Sequence, residues 1–370
     1  MKIGILTYHD TFNAGAFLQT YATYIYLKEQ GFNVEVIDYV PRKGFIKEYK
    51  TKIITKQPIR GLKAILKQRS FIKENLALSD ERVVSDKLHI AKKLLKPYDM
   101  VVVGSDTVFE VRPRAKAFAP ELPNLFYLPK CYKGKKVSFA ASADKSDFTL
   151  LDTKQKEYVI NSIKNFDFLS VRDTFTQQSL NSLTGEKAEL VFDPTFLINF
   201  PDTNVGNKLN LSKNFAILNV ANKKFGALIA KEFKRRGWQV VCPTKCELAD
   251  VNLNGLINPL EWADLYKYSK FTVTDRFHGT IFSLKAGCPV LSIDDASEYK
   301  TQKSKKEDML DRLQLSSLLV NYHSVHTSTE SDIKLLIDDT FNDWPNLEVE
   351  KSLMLASEKS KVFWKNVLND

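Results

Sequence analysis

Residues 271–294 read FTVTDRFHGTIFSLKAGCPVLSID. The opening Phe-Thr-Val-Thr is a β-branched and aromatic run of the kind that forms a strand. Asp275 and Arg276 break the apolar pattern. From there Phe277, Ile281 and Leu284 recur at helical spacing, and Gly287 supplies a stop. Residues 289–293 form a second apolar strand. The spacing thus predicts a strand–helix–strand unit with Asp275, Arg276, His278, Gly279 and Thr280 at its strand-to-helix turn. In an open parallel α/β sheet that turn lies at the carboxyl edge, where ligands bind. It is also a helix N-terminus, whose N–H groups and dipole favour an anion. Arg276 and His278 make it a candidate for phosphate or carboxylate chemistry, against the plainer reading of His278 as a cap or surface residue.

The same theme recurs through the chain. A strand over residues 2–7 leads into a loop holding Asn13, a good N-cap, and Gly15, which permits close backbone approach. A helix over 16–30 and a strand over 34–39 follow, without a G-x-G-x-x-G fingerprint. Residues 100–103 are an unbroken apolar run, as in a central parallel strand buried on both faces. That run ends in Gly104-Ser105-Asp106. Strands are also expected over 136–142 and 168–171, the latter ending in Arg172-Asp173, and 189–192 leads to Asp193-Pro194-Thr195. Arg172 reads equally as a substrate-binding cation or as half of a salt bridge with Asp173 or a neighbour. Residues 110–129 form a loop with Arg112 and Arg114 as unassigned cations. Residues 199–213 have the composition of a linker. Behind them come a strand over 215–220, a helix over 223–236, a strand over 238–241 and a helix over 259–269. A basic loop over 300–306 then leads into a helix to about residue 313.

TDRFHGT-x-FSL-x-A-x-x-P in this chain resembles the signature segment of the polysaccharide pyruvyl transferase family. N-A-G-A-x-L-Q-x-Y-A, with Asn13, Gly15, Gln19 and Tyr21, resembles that family's opening, although Gln19 and Tyr21 also read as ordinary helix packing. The KVSFAAS segment, the R-D at 172–173 and the D-P-T at 193–195 resemble further family segments. GSDTVF at 104–109 keeps the glycine, serine and aspartate of a typical GSDQVW but carries Thr107 and Phe109, which puts ligand contacts by those two side chains in doubt. The expected fold is two Rossmann-like α/β domains facing a cleft, as in GT-B glycosyltransferases. The first would span 1–198 with a basic helical insertion at 42–97, the second 214–343, and a helical segment at 344–370 would pack back towards the first. The resemblance implies transfer of a pyruvyl group from phosphoenolpyruvate to two hydroxyls of one sugar in a surface polysaccharide precursor; no cofactor is expected and no metal ligand is assigned, with assistance by a divalent metal left open. It implies catalysis by His278 and Arg276. Substrate binding would fall to Arg172, Asn13, Gly15, Gly104, Ser105, Asp106, Asp275, Gly279 and Thr280. Rival readings are a GT-B nucleotide-sugar glycosyltransferase and a non-catalytic saccharide-binding relative.

Composition bounds these readings. The 370 residues, 44% hydrophobic, suit two globular domains. No apolar run approaches the roughly 20 residues that span a bilayer, and the residues before Tyr8 are too short a run for a signal peptide. Four scattered cysteines, Cys131, Cys242, Cys246 and Cys288, suit a reducing cytoplasm and read as structural. The net charge of +10 is concentrated: residues 42–73 hold eleven Lys or Arg against one acid, Glu48. No nucleic-acid-binding motif accompanies them. Residues 42–97 carry no strand pattern, while Ile59, Leu62, Ile65 and Leu66 recur at helical spacing among the lysines. That basic amphipathic helix either docks on its own domain or makes peripheral contact with an anionic membrane at the cytoplasmic face, where a polyprenyl-diphosphate-linked acceptor would be met.

Overall fold

The computed structural model describes residues 1–54, 58–111, 120–144, 146–295 and 303–369. Arg112, Arg114 and residues 300–302 of the expected basic loop lie outside them. The chain divides into two compact units, 1–198 with 357–370, and 199–356.

The first unit contains β1 (Lys2–Leu6), β2 (Asn33–Val36), β3 (Tyr39–Val40), β4 (Val83–Val84), β5 (Met100–Val103), β6 (Lys135–Ala141), β7 (Phe168–Val171) and β8 (Glu189–Leu190). Six of these make one sheet in the order β2-β1-β5-β6-β7-β8, every pairing parallel. Parallel sheets are covered on both faces, so their central strands read as continuous apolar runs; Met100–Val103 is buried at every position. The second unit contains β9 (Phe215–Asn219), β10 (Gln239–Cys242), β11 (Val251–Asn252), β12 (Thr272–Thr274), β13 (Val290–Ile293) and β14 (Leu319–Val320). They form a second all-parallel sheet, β11-β10-β9-β12-β13-β14. Phe225, Ile229 and Phe233 of the helix Lys223–Arg235 pack under it with Ile333 and Ile337 of the helix Glu330–Asn342.

Most elements fall within one or two residues of their expected bounds, and three differences have physical reasons. Val83–Val84 is a strand inside the stretch expected to have none, because it pairs in parallel with Tyr39–Val40; two residues carry no detectable period. The helix begun at Pro259 tightens into a 3₁₀ turn at Leu265. Residues 199–213 are packed rather than loose: Asp264 accepts from the Thr203 N–H at 2.9 Å, and a side chain at Gly206 would meet the Tyr268 ring at 2.6 Å.

The basic stretch folds as two helices, Arg42–Ile53 and Pro58–Asn75. Gly61 lies where any Cβ would come within 1.9 Å of the Lys52 carbonyl, so the pair meets backbone to backbone. The expected stripe splits. Ile65 faces inward at 7% exposure, whereas Ile59, Leu62 and Leu66 are 73%, 51% and 62% exposed. Among the described residues, no helix is long and apolar enough to cross a membrane. The cysteines are unpaired, with Cys131 exposed, and burial raises the Cys288 thiol to about 11, which leaves it inert.

Candidate functional site

In the second unit β12 is held between β9 and β13, so its last residue projects the turn beyond the sheet's carboxyl edge. Asp275 is fixed there by three bonds. Its N–H donates to the Asn219 carbonyl at 3.0 Å, one carboxylate oxygen accepts from the Ala221 N–H at 2.7 Å, and the other meets Arg276 Nε at 3.0 Å. Arg276 is the N-cap of the helix Phe277–Lys285, and its side chain makes no bond to that helix. No acid lies in the first turn. A helix start that lacks its usual oxygen acceptor keeps N–H donors for an anion, and a cation stands beside them. The Arg276 side chain is 56% exposed, while His278 is half-buried with its ring edge-on to Phe277.

Gly279 and Thr280 are buried in the packing beneath this turn. A Cβ at Gly279 would come within 2.7 Å of Thr274 Oγ1 and 3.2 Å of the Tyr266 hydroxyl. Thr280 Oγ1 is 2.9 Å from Ser292 Oγ, tying the helix to β13. Both therefore position the turn, and neither is laid open to a ligand.

Sequence reasoning missed three neighbours. Lys306, in the helix Lys305–Arg312, is only 9% exposed; its ammonium donates to the Asp275 carbonyl at 3.0 Å and to the Ile293 carbonyl. Burial lowers its pKa, opposed by the charges of Asp294 and Asp275. Lys306 shares a helical face with Met309, Leu310 and Leu313, and a lysine on an apolar face was the signal available. Tyr266 is fully buried, and its hydroxyl has no hydrogen-bond partner among the described residues. Asn219 accepts from Thr244 Oγ1 at 2.9 Å, and its amide nitrogen is likewise unmatched.

The first unit gathers a different group at its own carboxyl edge. Asn13 caps the helix Ala14–Glu29 by accepting from the Gly15 N–H at 3.0 Å. Gly104 has φ +126°, and a Cβ there would fall 2.3 Å from the Phe139 carbonyl, so glycine is required. Ser105 is buried; its carbonyl accepts from Thr7 Oγ1 at 3.1 Å. Asp106 adopts a left-handed φ of +66°, tolerable for an aspartate. Arg172 is no surface cation. Its side chain is 4% exposed and lies 3.2 Å from Asp193 and 3.5 Å from Asp106. Asp193 also accepts from Gln19 Nε2 at 2.5 Å and from Thr195 Oγ1 at 2.7 Å. Asp173, the partner weighed from sequence, instead caps the helix Thr174–Thr184. Arg172 thus closes a buried acidic nest, paired with neighbours rather than standing ready as a substrate-binding cation, and Asp193 and Gln19 join it as residues whose roles the sequence did not give.

Beside this nest is a cavity of about 470 Å³ lined by Tyr8, Asp10, Phe45, Asp106, Glu110 and Asp144 among others. Thr107 faces it as well, whereas Phe109 is buried against Tyr127 and Phe166. Burial raises the Tyr8 phenol, and the charges of Glu110 and Asp106 raise it further, so it stays a neutral donor. At the cavity wall, which His9 and Asp10 also line, His9 and Arg69 both bind Asp38, and Arg69 and Arg82 share Asp10. Among the described residues, no group of His, Cys, Asp and Glu has the arrangement of a metal site.

Two six-stranded parallel sheets, each carrying its polar residues at the carboxyl ends, define an α/β protein of the GT-B type. A family model described as polysaccharide pyruvyl transferase matches residues 13–297. The chain belongs to the polysaccharide pyruvyl transferase family. A comparison with curated proteins finds no match. Among solved structures, UDP-GlcNAc 2-epimerase from Methanocaldococcus jannaschii is similar at 12% identity and a TM-score of 0.58, covering 100% of this chain and 99% of that one. The Neisseria meningitidis UDP-GlcNAc 2-epimerase bound to UDP-GlcNAc gives 11% identity and a TM-score of 0.52, covering 100% of both chains. At those identities the likeness is one of fold.

Proposed function

We propose that the protein transfers pyruvate from phosphoenolpyruvate to two hydroxyls of one sugar, forming a cyclic ketal on a surface polysaccharide precursor. The observation that carries this is the uncapped helix start at Phe277, flanked by Arg276 and His278 and backed by the buried ammonium of Lys306. An enol phosphate that is also a carboxylate needs several fixed donors and cations, and this turn offers them. A guanidinium grips a carboxylate or phosphate with two parallel bonds. A histidine transfers protons near neutral pH.

In the proposed reaction His278 protonates C3 of the enol, which makes C2 electrophilic. One sugar hydroxyl adds to C2, the second displaces phosphate, and a ketal and inorganic phosphate result. Of the two hydroxyl protons, one restores the acid and the other leaves with phosphate. Asp275, Gly279 and Thr280 hold the turn in shape. The first unit's cavity, with its carboxylates and the Tyr8 and Phe45 rings, suits a saccharide, whose hydroxyls bind carboxylates and whose C–H faces stack on aromatics. Asn13, Gly15, Gly104, Ser105 and Asp106 shape that side, and a polyprenyl-diphosphate-linked sugar is the acceptor class we assign. Incubation with phosphoenolpyruvate and candidate oligosaccharides tests the reading, with mass spectrometry for added pyruvate and an assay for released phosphate. Release of UDP from UDP-GlcNAc without phosphate from phosphoenolpyruvate would overturn it in favour of nucleotide-sugar chemistry.

A further inference from the structure

We propose that the helix pair Arg42–Ile53 and Pro58–Asn75 is a docking face for an anionic lipid surface. On the second helix Ile59, Leu62 and Leu66 point outward, with Lys63, Lys67 and Lys73 exposed on the same side. Gly61, Ile65 and Ile72 are buried on the opposite side. The first helix repeats the pattern: Ile46 and Ile53 are exposed with Lys50 between them, and no residue of that helix is fully buried.

Charge decides which occupant suits the face. Glu48, the one acid in 42–73, is turned away from it, accepting from Thr11 Oγ1 at 2.9 Å and the Phe12 N–H at 2.6 Å. Arg69 is turned inward as well, to Asp38 and Asp10. The outer side is thus left mainly with aliphatic and cationic side chains; the second helix's own acid, Glu74, is exposed near its C-terminal end, where it accepts from Ser70 Oγ at 2.7 Å. A chain of isoleucines and leucines rimmed mainly by cations, Lys63, Lys67 and Lys73 against the single exposed acid Glu74, fits the boundary of an anionic bilayer, where apolar side chains enter the acyl region and lysines meet headgroups. A second copy of the same face would bring like charges together. Phe45, Glu48 and Thr51 on the inner side of the first helix line the cavity described above, so lipid docking would set that wall of the cavity at the membrane.

The test is cosedimentation of the full chain with phosphatidylglycerol-containing vesicles, against pure phosphatidylcholine, at low and high salt. Binding only to the anionic vesicles, weakened by salt, is expected. Ile59→Ser/Leu62→Ser/Leu66→Ser and Lys63→Glu/Lys67→Glu/Lys73→Glu should each lower the partition coefficient by about tenfold or more. Leu62→Trp, which adds an emission probe without removing apolar area, should shift to the blue on those vesicles. Absence of binding at low salt overturns the proposal. So does unchanged binding by the serine variant, or a dimer that this variant converts to monomer while vesicles stay unbound. Phosphate release with a water-soluble acceptor is measured alongside, so loss of docking and failure of the pyruvyl transfer reading remain distinct results.

Discussion

At the scale of single residues, the turn after β12 separates groups that reach a ligand from groups that hold the turn. His278→Ala should lower phosphate release from phosphoenolpyruvate by about a hundredfold or more, the scale of a lost general acid, with an unchanged melting curve; a variant that keeps its activity removes His278 from the chemistry. Arg276 is half in solvent, so Arg276→Lys should leave stability within about 0.5 kcal/mol while raising KM for phosphoenolpyruvate, because the two-pronged contact is lost. Free exchange with lysine would reduce its role to a general positive field. Lys306 yields a pH prediction. Its pKa lies below the ordinary 10.5 because burial disfavours the cation, so the folded protein loses that charge earlier than an exposed lysine would. If the cation serves turnover, activity falls as pH rises through that lowered pKa, and Lys306→Arg moves the fall to higher pH. An unmoved alkaline limb sinks the idea. This residue was hard to see because K-S-K-K reads as solvated loop until the apolar period behind it is followed forward to Leu313.

At the scale of elements, the sheet was legible because its physics is local: strands buried on both faces must be apolar throughout, as in Met100–Val103, and the polar residue that ends each run marks the carboxyl edge. The helix pair was legible only as helix. Period alone joins Ile59, Leu62, Ile65 and Leu66 into one stripe, yet packing at Gly61 sends Ile65 inward and leaves the other three outside. The partners of Arg172 were equally invisible, since Asp106 and Asp193 lie far from it in sequence. The inner side of the pair depends on Asp38, where burial raises the carboxyl but the hydrogen bonds from His9 and Arg69 outweigh it and hold it below its ordinary 3.8. That stabilisation is complete above about 3.8 and is lost as pH falls through the lower folded value. Asp38→Asn should therefore destabilise the chain at neutral pH by about 3–5 kcal/mol and flatten the acid limb of its stability curve; an unchanged limb would show that Asp38 contributes nothing to it.

At the scale of the molecule, the helix Asn346–Asn369 begins in one unit and ends in the other. Phe363 and Trp364 pack on Phe139, and Trp364 also on Tyr26, all within the first unit. Trp364→Ala should cost about 3–5 kcal/mol, and hydrogen exchange should report the loss around β6 and the helix Ala14–Glu29; protection lost only near the substitution would deny that helix a part in the first unit's core. The same packing has a consequence for synthesis. Ribosomes deliver roughly 5–20 residues each second, and residues 357–369 emerge only after the whole of 199–356. The unit translated first consequently waits, with Tyr26 and Phe139 uncovered, for a segment made after the second unit. A nascent chain halted after its 198th residue should bind chaperones that a released chain no longer engages.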